Sequence, residues 1–177
     1  HPPNKEAISY IQTDIAPYVD CEVHIYGAYS EKFSDKNFYC LGYTPDSKET
    51  LSKYKVNLAP LKSGSGIKGK ILDGFAAGTP VASTYIAAEG IGEFGSDDIL
   101  KRALELYSNQ SEWTNAQKLG LEVVENKFNQ KLCLESFLKA LDTKQSYNFL
   151  QELLWYQGLR STEYFSRWIE AKNKLSN

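Results

Sequence analysis

The sequence contains no methionine, and it has only three cysteines and two histidines among 177 residues. Cys21, Cys40 and Cys133 are odd in number, and no two of them have the spacing of a metal-binding motif. We therefore expect buried free thiols and a cytoplasmic protein, because disulfides are rare in reducing compartments. The sequence also lacks an Asp-x-Asp pair and any cluster of His, Cys and Asp, so no metal ion is expected.

Neither sign of charge is in strong excess. The 20 basic and 22 acidic side chains leave a net charge of −2. A nucleic-acid-binding domain usually has a basic surplus, so we expect no nucleic-acid partner. No apolar run approaches the roughly 18 residues of a membrane span, and no signal peptide is visible. With 42% hydrophobic residues, the composition is typical of a globular domain with a proper core.

Strand and helix patterns alternate in the first half of the chain, which predicts a Rossmann-like α/β fold with helices on both faces of a parallel sheet. Asn4 is the predicted N-cap of the first helix, and Gly78 is predicted to end another helix in the left-handed conformation. The predicted strands are residues 21–26, 38–41, 56–61 and 80–83, and the predicted helices are residues 5–18, 47–54 and 67–77.

The second half of the chain is predicted to be a helical C-terminal segment. Helical periodicity covers residues 98–107, 111–126, 130–142, 146–157 and 162–174. The last 30 residues are rich in aromatic side chains, more than two isolated helices are expected to expose. We expect residues 144–177 to pack on the sheet domain or on a second domain, or to self-associate.

The chain opens with His1-Pro2-Pro3-Asn4 and a helical pattern, whereas an α/β domain normally opens with a strand. We therefore expect residues 1–143 to form a domain that lacks its first strand, as a fragment of a longer protein would.

The segment Ser63-Gly64-Ser65-Gly66-Ile67-Lys68-Gly69-Lys70 lies between a predicted strand and a predicted helix, where α/β sheets bind ligands. Glycines allow the backbone to approach a ligand closely, and the free N–H groups of the first helical turn favour an anion. These features fit a diphosphate, although such a turn also serves tight packing alone. The segment matches neither the P-loop pattern nor the dinucleotide-binding fingerprint.

Asp73 lies one turn beyond Lys70. From the spacing, it either accepts hydrogen bonds from ribose hydroxyls or forms an intrahelical pair with Lys70. Glu89 falls in a loop near the predicted site, where it either contacts the ligand or is a surface carboxylate. His24 is expected to lie in the core, and no Ser-His-Asp or Cys-His arrangement is recognisable.

Five segments, in order, resemble the C-terminal domain of group 1 glycosyltransferases of GT-B fold, in the retaining branch. The most specific is NLAPLKSGSGIKGKILDGFAAGTPVAST with AAEGI behind it. HPPN with AISYIQTDIAP, VHIYG, FYCLGYTPD and NKFNQKLCLESF extend the resemblance over roughly residues 1–140. It implies a nucleotide-sugar-binding domain at residues 1–143, which transfers a hexose with retention and needs no metal ion.

The resemblance also implies roles for individual residues. Gly64, Ser65 and Gly66 would line the diphosphate, and Lys70, with Lys68, would neutralise it as it departs. Tyr43 and Thr44 would border the nucleobase. Asp73 stands where the family commonly has a glutamate that holds the ribose, and Ser65 departs from a glutamate common near the donor sugar.

The partners implied are a UDP- or GDP-linked sugar and an N-terminal domain that binds the acceptor. The leading hypothesis is thus the donor-binding part of a glycosyltransferase, inactive or weak on its own. A catalytically inactive nucleotide-sugar-binding or scaffold module remains an alternative, as does another GT-B enzyme such as an epimerase or a phosphorylase. The nucleobase, the sugar and the acceptor are not specified by the sequence.

Overall fold

The computed structural model describes residues 2–27 and 32–142. The chain divides into two compact units, His1–Leu132 and Cys133–Asn177. The two predicted helices at 146–157 and 162–174 lie outside the described residues, as does their proposed packing. The first unit has the predicted Rossmann-like α/β fold, and a helical segment follows it.

The chain begins with α1 (Pro2–Tyr10), which continues as a π-helical turn at Ile11–Ile15 and a 3-10 turn at Ala16–Tyr18. The predicted helix at 5–18 is therefore present, but it starts earlier. Asn4 lies inside the first turn rather than at the N-cap, so that prediction was wrong. Pro17 lacks a backbone N–H and cannot continue an α-helix, which accounts for the change to a tighter turn here.

The strands form two separate parallel pairings. β1 (Val23–Tyr26) pairs in parallel with β3 (Phe38–Gly42), and β4 (Asn57–Ala59) pairs in parallel with β5 (Val81–Ser83). All four predicted strands are present; β1, β4 and β5 are shorter than predicted, whereas β3 extends one residue further, to Gly42. The sequence predicted one continuous sheet, whereas β1 and β4 are not hydrogen-bonded to each other.

Two elements were not predicted. β2 (Phe33–Asp35) is exposed throughout and pairs antiparallel with β3. α4 (Tyr85–Ala88) is a single turn that the Thr84 hydroxyl caps by accepting from the N–H of Ala87. Both are too short to produce a periodic pattern, which is the signal on which sequence-based prediction depends.

The remaining helices agree closely with the sequence pattern. Asp46, Asp98 and Asn109 cap their helices with side-chain oxygens, as such residues commonly do. Gly78 follows α3 with a φ of 73°, which is the predicted left-handed termination. These helices are α2 (Ser47–Leu51), α3 (Gly69–Ala76), α5 (Ile99–Ser108), α6 (Gln110–Lys127) and α7 (Gln130–Asp142).

Helices cover both faces of the β4–β5 pair, because neighbouring β5 residues face two different clusters. Ala82 packs in a cluster with Ile15 from the first helical segment and with Leu106 of α5. Val81 packs in a second cluster with Phe75 of α3. Adjacent strand residues point to opposite faces, so this alternation places a hydrophobic core on each side of the sheet.

The cysteines differ from the expectation of buried thiols. Cys21 and Cys40 are half-buried, and Cys133 is exposed. Burial raises the pKa of the Cys40 thiol. None of the helices within residues 2–27 and 32–142 is long and apolar enough to cross a membrane.

Candidate functional site

A cavity of about 510 Å³ opens at the carboxyl ends of β1 and β4, the edge where ligands bind in open α/β sheets. Polar side chains from several separate parts of the chain line it. They include Asn4 and Lys5 of α1, Tyr43 and Thr44 after β3, Ser47 of α2, and Lys70 and Asp73 of α3. The fold therefore brings together residues that are up to 69 positions apart in the sequence.

Lys70 supplies a cation to this cavity. Its Nζ donates a hydrogen bond of 2.8 Å to Oδ1 of Asn4. Desolvation lowers the pKa of Lys70 below its ordinary value, although part of the side chain still reaches solvent. Among the described residues, no carboxylate forms an ion pair with Lys70. The ammonium group is thus partly desolvated and faces a neutral acceptor, which favours an anionic ligand beside it.

The amino end of α3 adds backbone donors. Lys68 occupies the N-cap, where Ser, Thr, Asp or Asn usually accepts a hydrogen bond, and no side chain caps the helix. The first turn contains no acidic residue either. The N–H groups of Gly69 and Lys70 have no intrahelical partner by their position, and the helix dipole is positive here. This end of α3 is therefore suited to an anion.

The Lys68 side chain contacts the loop that precedes α3. The side chain is buried, and its Nζ donates to the carbonyl of Gly66 at 2.5 Å and lies 3.9 Å from a carboxylate oxygen of Glu89. The Glu89 side chain remains mostly exposed. In this conformation Lys68 and Glu89 thus tie the loop before α3 to the turn after α4, and neither lines the cavity.

The Gly64–Gly66 segment is exposed and lies outside the cavity lining. Gly64 has a φ of 126° and Gly66 a φ of 73°, which side chains with a Cβ rarely adopt. No neighbouring atom comes within 4 Å of a Cβ built on Gly66. At Gly66 the backbone conformation, and not a lack of space for a side chain, is what favours glycine. The space beside the backbone of Gly66 is open.

Asp73 does not pair with Lys70 in this structure. Its Oδ2 instead accepts a hydrogen bond of 3.1 Å from the Ser47 hydroxyl. Thr44 shares a hydrogen bond of 2.6 Å with Thr50, and the Tyr43 side chain is 70% exposed. The wall formed by α2 and the loop after β3 therefore presents hydroxyl, carboxylate and aromatic groups to the cavity.

Of the predicted site residues, Lys70, Asp73, Tyr43 and Thr44 line one cavity, whereas Lys68, Glu89 and the loop glycines lie beside it. Seven further polar side chains in the lining were not assigned to the site from the sequence: Asn4, Lys5, His24, Tyr26, Ser47, Thr50 and Asn57. Asn4 was interpreted as a helix cap, because a capping side chain and a ligand-binding side chain have the same chemistry.

His24 differs in part from the core role expected of it. It is half-buried, and its Nδ1 lies 2.6 Å from the Tyr54 hydroxyl while its Nε2 lies 3.0 Å from a Glu22 carboxylate oxygen. Within residues 2–27 and 32–142, His, Cys, Asp and Glu side chains form no group of three that could hold a metal ion.

A family model described as "Glycosyl transferases group 1" matches residues 4–109, which is more than half of the chain. The matched range includes every residue of the cavity lining. A search of curated proteins found no match. The chain belongs to the group 1 glycosyltransferases.

Proposed function

We propose that this group 1 glycosyltransferase chain binds a nucleotide-diphosphate sugar in the cavity at the carboxyl ends of β1 and β4. The observation that carries the proposal is the position of Lys70, a partly desolvated cation without a described carboxylate partner, in the first turn of an uncapped helix. A diphosphate at this end of α3 would receive the backbone N–H groups of the helix and the charge of Lys70.

The same arrangement supports transfer of the sugar. Breaking the bond between sugar and diphosphate develops negative charge on the leaving oxygens. Lys70 and the first-turn N–H groups are already oriented, so they would stabilise that charge more in the transition state than in the ground state. We infer that these groups carry out the neutralisation that a metal ion performs in other enzymes, and we propose no metal ion here.

Other side chains of the cavity wall would contact the ribose and the nucleobase. Asp73, which Ser47 orients through a hydrogen bond, would accept hydrogen bonds from the ribose hydroxyls. The exposed ring of Tyr43 would stack on the nucleobase, with Thr44 beside it. Gly64–Gly66 and Lys68 would approach the diphosphate from the loop before α3. We expect retention at the transferred hexose and an acceptor site on a separate domain, as the resemblance implies.

The test is a titration of the 177-residue chain with UDP and GDP, followed by calorimetry and by thermal unfolding. A ligand present at 100 times its dissociation constant stabilises the folded state by about 2.7 kcal/mol, which gives a visible shift in Tm. We expect one of the two nucleotides to produce it. The absence of a shift and of binding heat with both nucleotides would overturn the proposal and favour the scaffold alternative.

A matched pair of variants then locates the binding site. Lys70→Met removes one hydrogen bond to a charged group, worth roughly 1.5–3 kcal/mol, so the affinity should fall by about 10-fold or more. Lys62→Met is the control, because the Lys62 ammonium lies 4.8 Å from the Tyr10 ring centroid and outside the cavity lining. Equal losses in both variants would place the nucleotide elsewhere.

A further inference from the structure

We propose that Asn4 and Ser47 are positioning residues that hold the side chains of Lys70 and Asp73 apart. The separation leaves the ammonium group available to an anion and the carboxylate available to hydroxyl groups of the same ligand. Only the identity of that ligand, a nucleoside diphosphate, rests on the proposed function. The separation of the two charges is a property of the protein without a ligand, and it can be tested there.

Lys70 and Asp73 have the spacing of an intrahelical ion pair. Both lie on α3, three positions apart, where Cβ atoms are roughly 5–6 Å from each other and opposite charges attract. Both side chains reach solvent, so burial does not keep them apart. Among the described residues no ion pair joins them, and no effect of Asp73 opposes the lowering of the Lys70 pKa by desolvation. Other contacts therefore direct the two side chains away from each other.

The backbone of α3 has little freedom to separate the two charges. The side-chain amide of Asn57, in β4, donates a hydrogen bond of 3.0 Å to the carbonyl of Lys70. A Cβ built on Gly74 would lie 2.6 Å from the same amide nitrogen, so the helix turn that carries both charges packs tightly against β4. The helix is thus fixed in place, and the side-chain rotamers decide whether Lys70 and Asp73 meet.

Each charged side chain is held by a neutral partner from another helix. The Lys70 ammonium group donates to Oδ1 of Asn4 in α1, and the Asp73 carboxylate accepts from the Ser47 hydroxyl in α2. A neutral partner orients a charged group without cancelling its charge. Each contact uses only one of the several hydrogen-bonding positions of an ammonium group or a carboxylate, so others remain for a ligand.

All four side chains line the cavity of the candidate site, so their arrangement bears on ligand binding. If Lys70 and Asp73 were paired, an anion would have to break that pair before it could contact Lys70, and the affinity would fall by the strength of the pair. Groups that are already separated and oriented avoid this cost. Asn4 and Ser47 therefore raise the affinity for a diphosphate through Lys70, and they need no contact with the diphosphate to do so.

A double-mutant cycle on the free protein tests the separation. The coupling between Lys70→Met and Asp73→Asn in the free energy of unfolding is measured by urea unfolding at low salt, where ion pairs are least screened. It should be small in the wild type and larger in Ser47→Ala, because the released carboxylate can then pair with Lys70. Ser52→Ala is the control, since its hydroxyl donates to the Glu49 carbonyl at the other end of α2, outside the cavity lining. Equal coupling in the wild type and in Ser47→Ala would overturn the inference.

Calorimetric titration with pyrophosphate measures the consequence for binding. Ser47→Ala should weaken the affinity for pyrophosphate by about 2- to 5-fold, the range that corresponds to exposed ion pairs. The same substitution in an Asp73→Asn background should have no effect, because no carboxylate remains to pair with Lys70. Asn4→Ala should follow the same pattern with and without Asp73→Asn. A loss that persists in the Asp73→Asn background would show a purely structural role and would overturn the inference.

The two measurements distinguish this inference from the proposed function. Nucleotide binding by the wild type, together with a coupling between Lys70 and Asp73 that Ser47→Ala leaves unchanged, would support the proposed function and overturn the inference. Increased coupling in Ser47→Ala, without binding of either nucleotide or of pyrophosphate, would support the separation of the charges and overturn the proposed function.

Discussion

The side-chain ammonium of Lys70 donates a hydrogen bond of 2.8 Å to the side-chain oxygen of Asn4, which ties the first turn of α3 to the first turn of α1. The two residues are 66 positions apart in the sequence. The contact holds Lys70, the only lysine in the first turn of α3, at the cavity, while part of its side chain remains exposed to solvent. Four predictions follow from this site and from the packing that supports it.

The stability of the chain should depend on the protonation of Lys70. The pKa of Lys70 is lowered in the folded state. At a pH between this lowered pKa and the ordinary value of 10.5, the unfolded chain therefore binds more protons at Lys70 than the folded chain does. Across that window the free energy of unfolding rises with pH, relative to Lys70→Met. Urea unfolding of both proteins from neutral pH to pH 10.5 measures the difference, and a difference that does not change with pH would contradict the desolvation of Lys70.

Asp73→Asn should weaken nucleotide binding but leave pyrophosphate binding unchanged. The carboxylate is proposed to contact the ribose, and losing a hydrogen bond to a charged group costs roughly 1.5–3 kcal/mol, which is about 10-fold or more in affinity. Pyrophosphate has no ribose and serves as the control ligand in the same calorimetric titration. A parallel loss for pyrophosphate would indicate that Asp73 acts on the diphosphate or on the folding of α3.

Gly66→Ala should strain the loop before α3. The φ of 73° is unfavourable for an L-residue by roughly 1–2 kcal/mol, although the added methyl group itself has open space. We expect lower affinity for the nucleotide, or lower stability in urea, by this amount. Gly66→Asn is the matched variant, because asparagine tolerates the left-handed region better. Equal effects of the two substitutions would show that backbone conformation is not the cause.

Gly74→Ala should destabilise the packing of α3 on the sheet. A Cβ at this position would lie 2.6 Å from the side-chain amide nitrogen of Asn57 and 3.0 Å from a methyl group of Val81. Overpacking of this kind typically costs about 1–3 kcal/mol in the free energy of unfolding. Gly69→Ala, in the same helix, meets no atom within 4 Å and should be tolerated or mildly stabilising. Urea unfolding of the two variants distinguishes these outcomes.

Local patterns accounted for much of the fold. The four predicted strands and the helices α2, α3, α5, α6 and α7 were found because periodicity, caps and terminating glycines such as Gly78 are encoded within a few residues. β2 and α4 were not found because neither is long enough to repeat a pattern. Asn4 was assigned to a cap because its side chain has the same chemistry whether it bonds to its own helix or to Lys70.

The candidate site, like the fold, could be predicted from the sequence only in part. A strand, a glycine-rich loop and a helix with Lys70 and Asp73 were visible along the chain, and they predicted an anion site at a sheet edge. The spacing left open whether Lys70 pairs with Asp73, and only the fold decided it: Lys70 bonds to Asn4 and Asp73 to Ser47. The alternative partners come from other helices, so no spacing within α3 could reveal them.

The sequence by itself therefore determined the family, the alternation of strands and helices, and the position of the glycine-rich loop before α3, because these depend on neighbouring residues. The tertiary structure decided which side chains meet at the carboxyl ends of the strands. It buried Lys68 against Gly66 and Glu89, brought Lys70 to Asn4, and left β1 and β4 without hydrogen bonds to each other. Those outcomes depend on how distant segments pack, since burial, desolvation and an open strand edge exist only once the chain has folded.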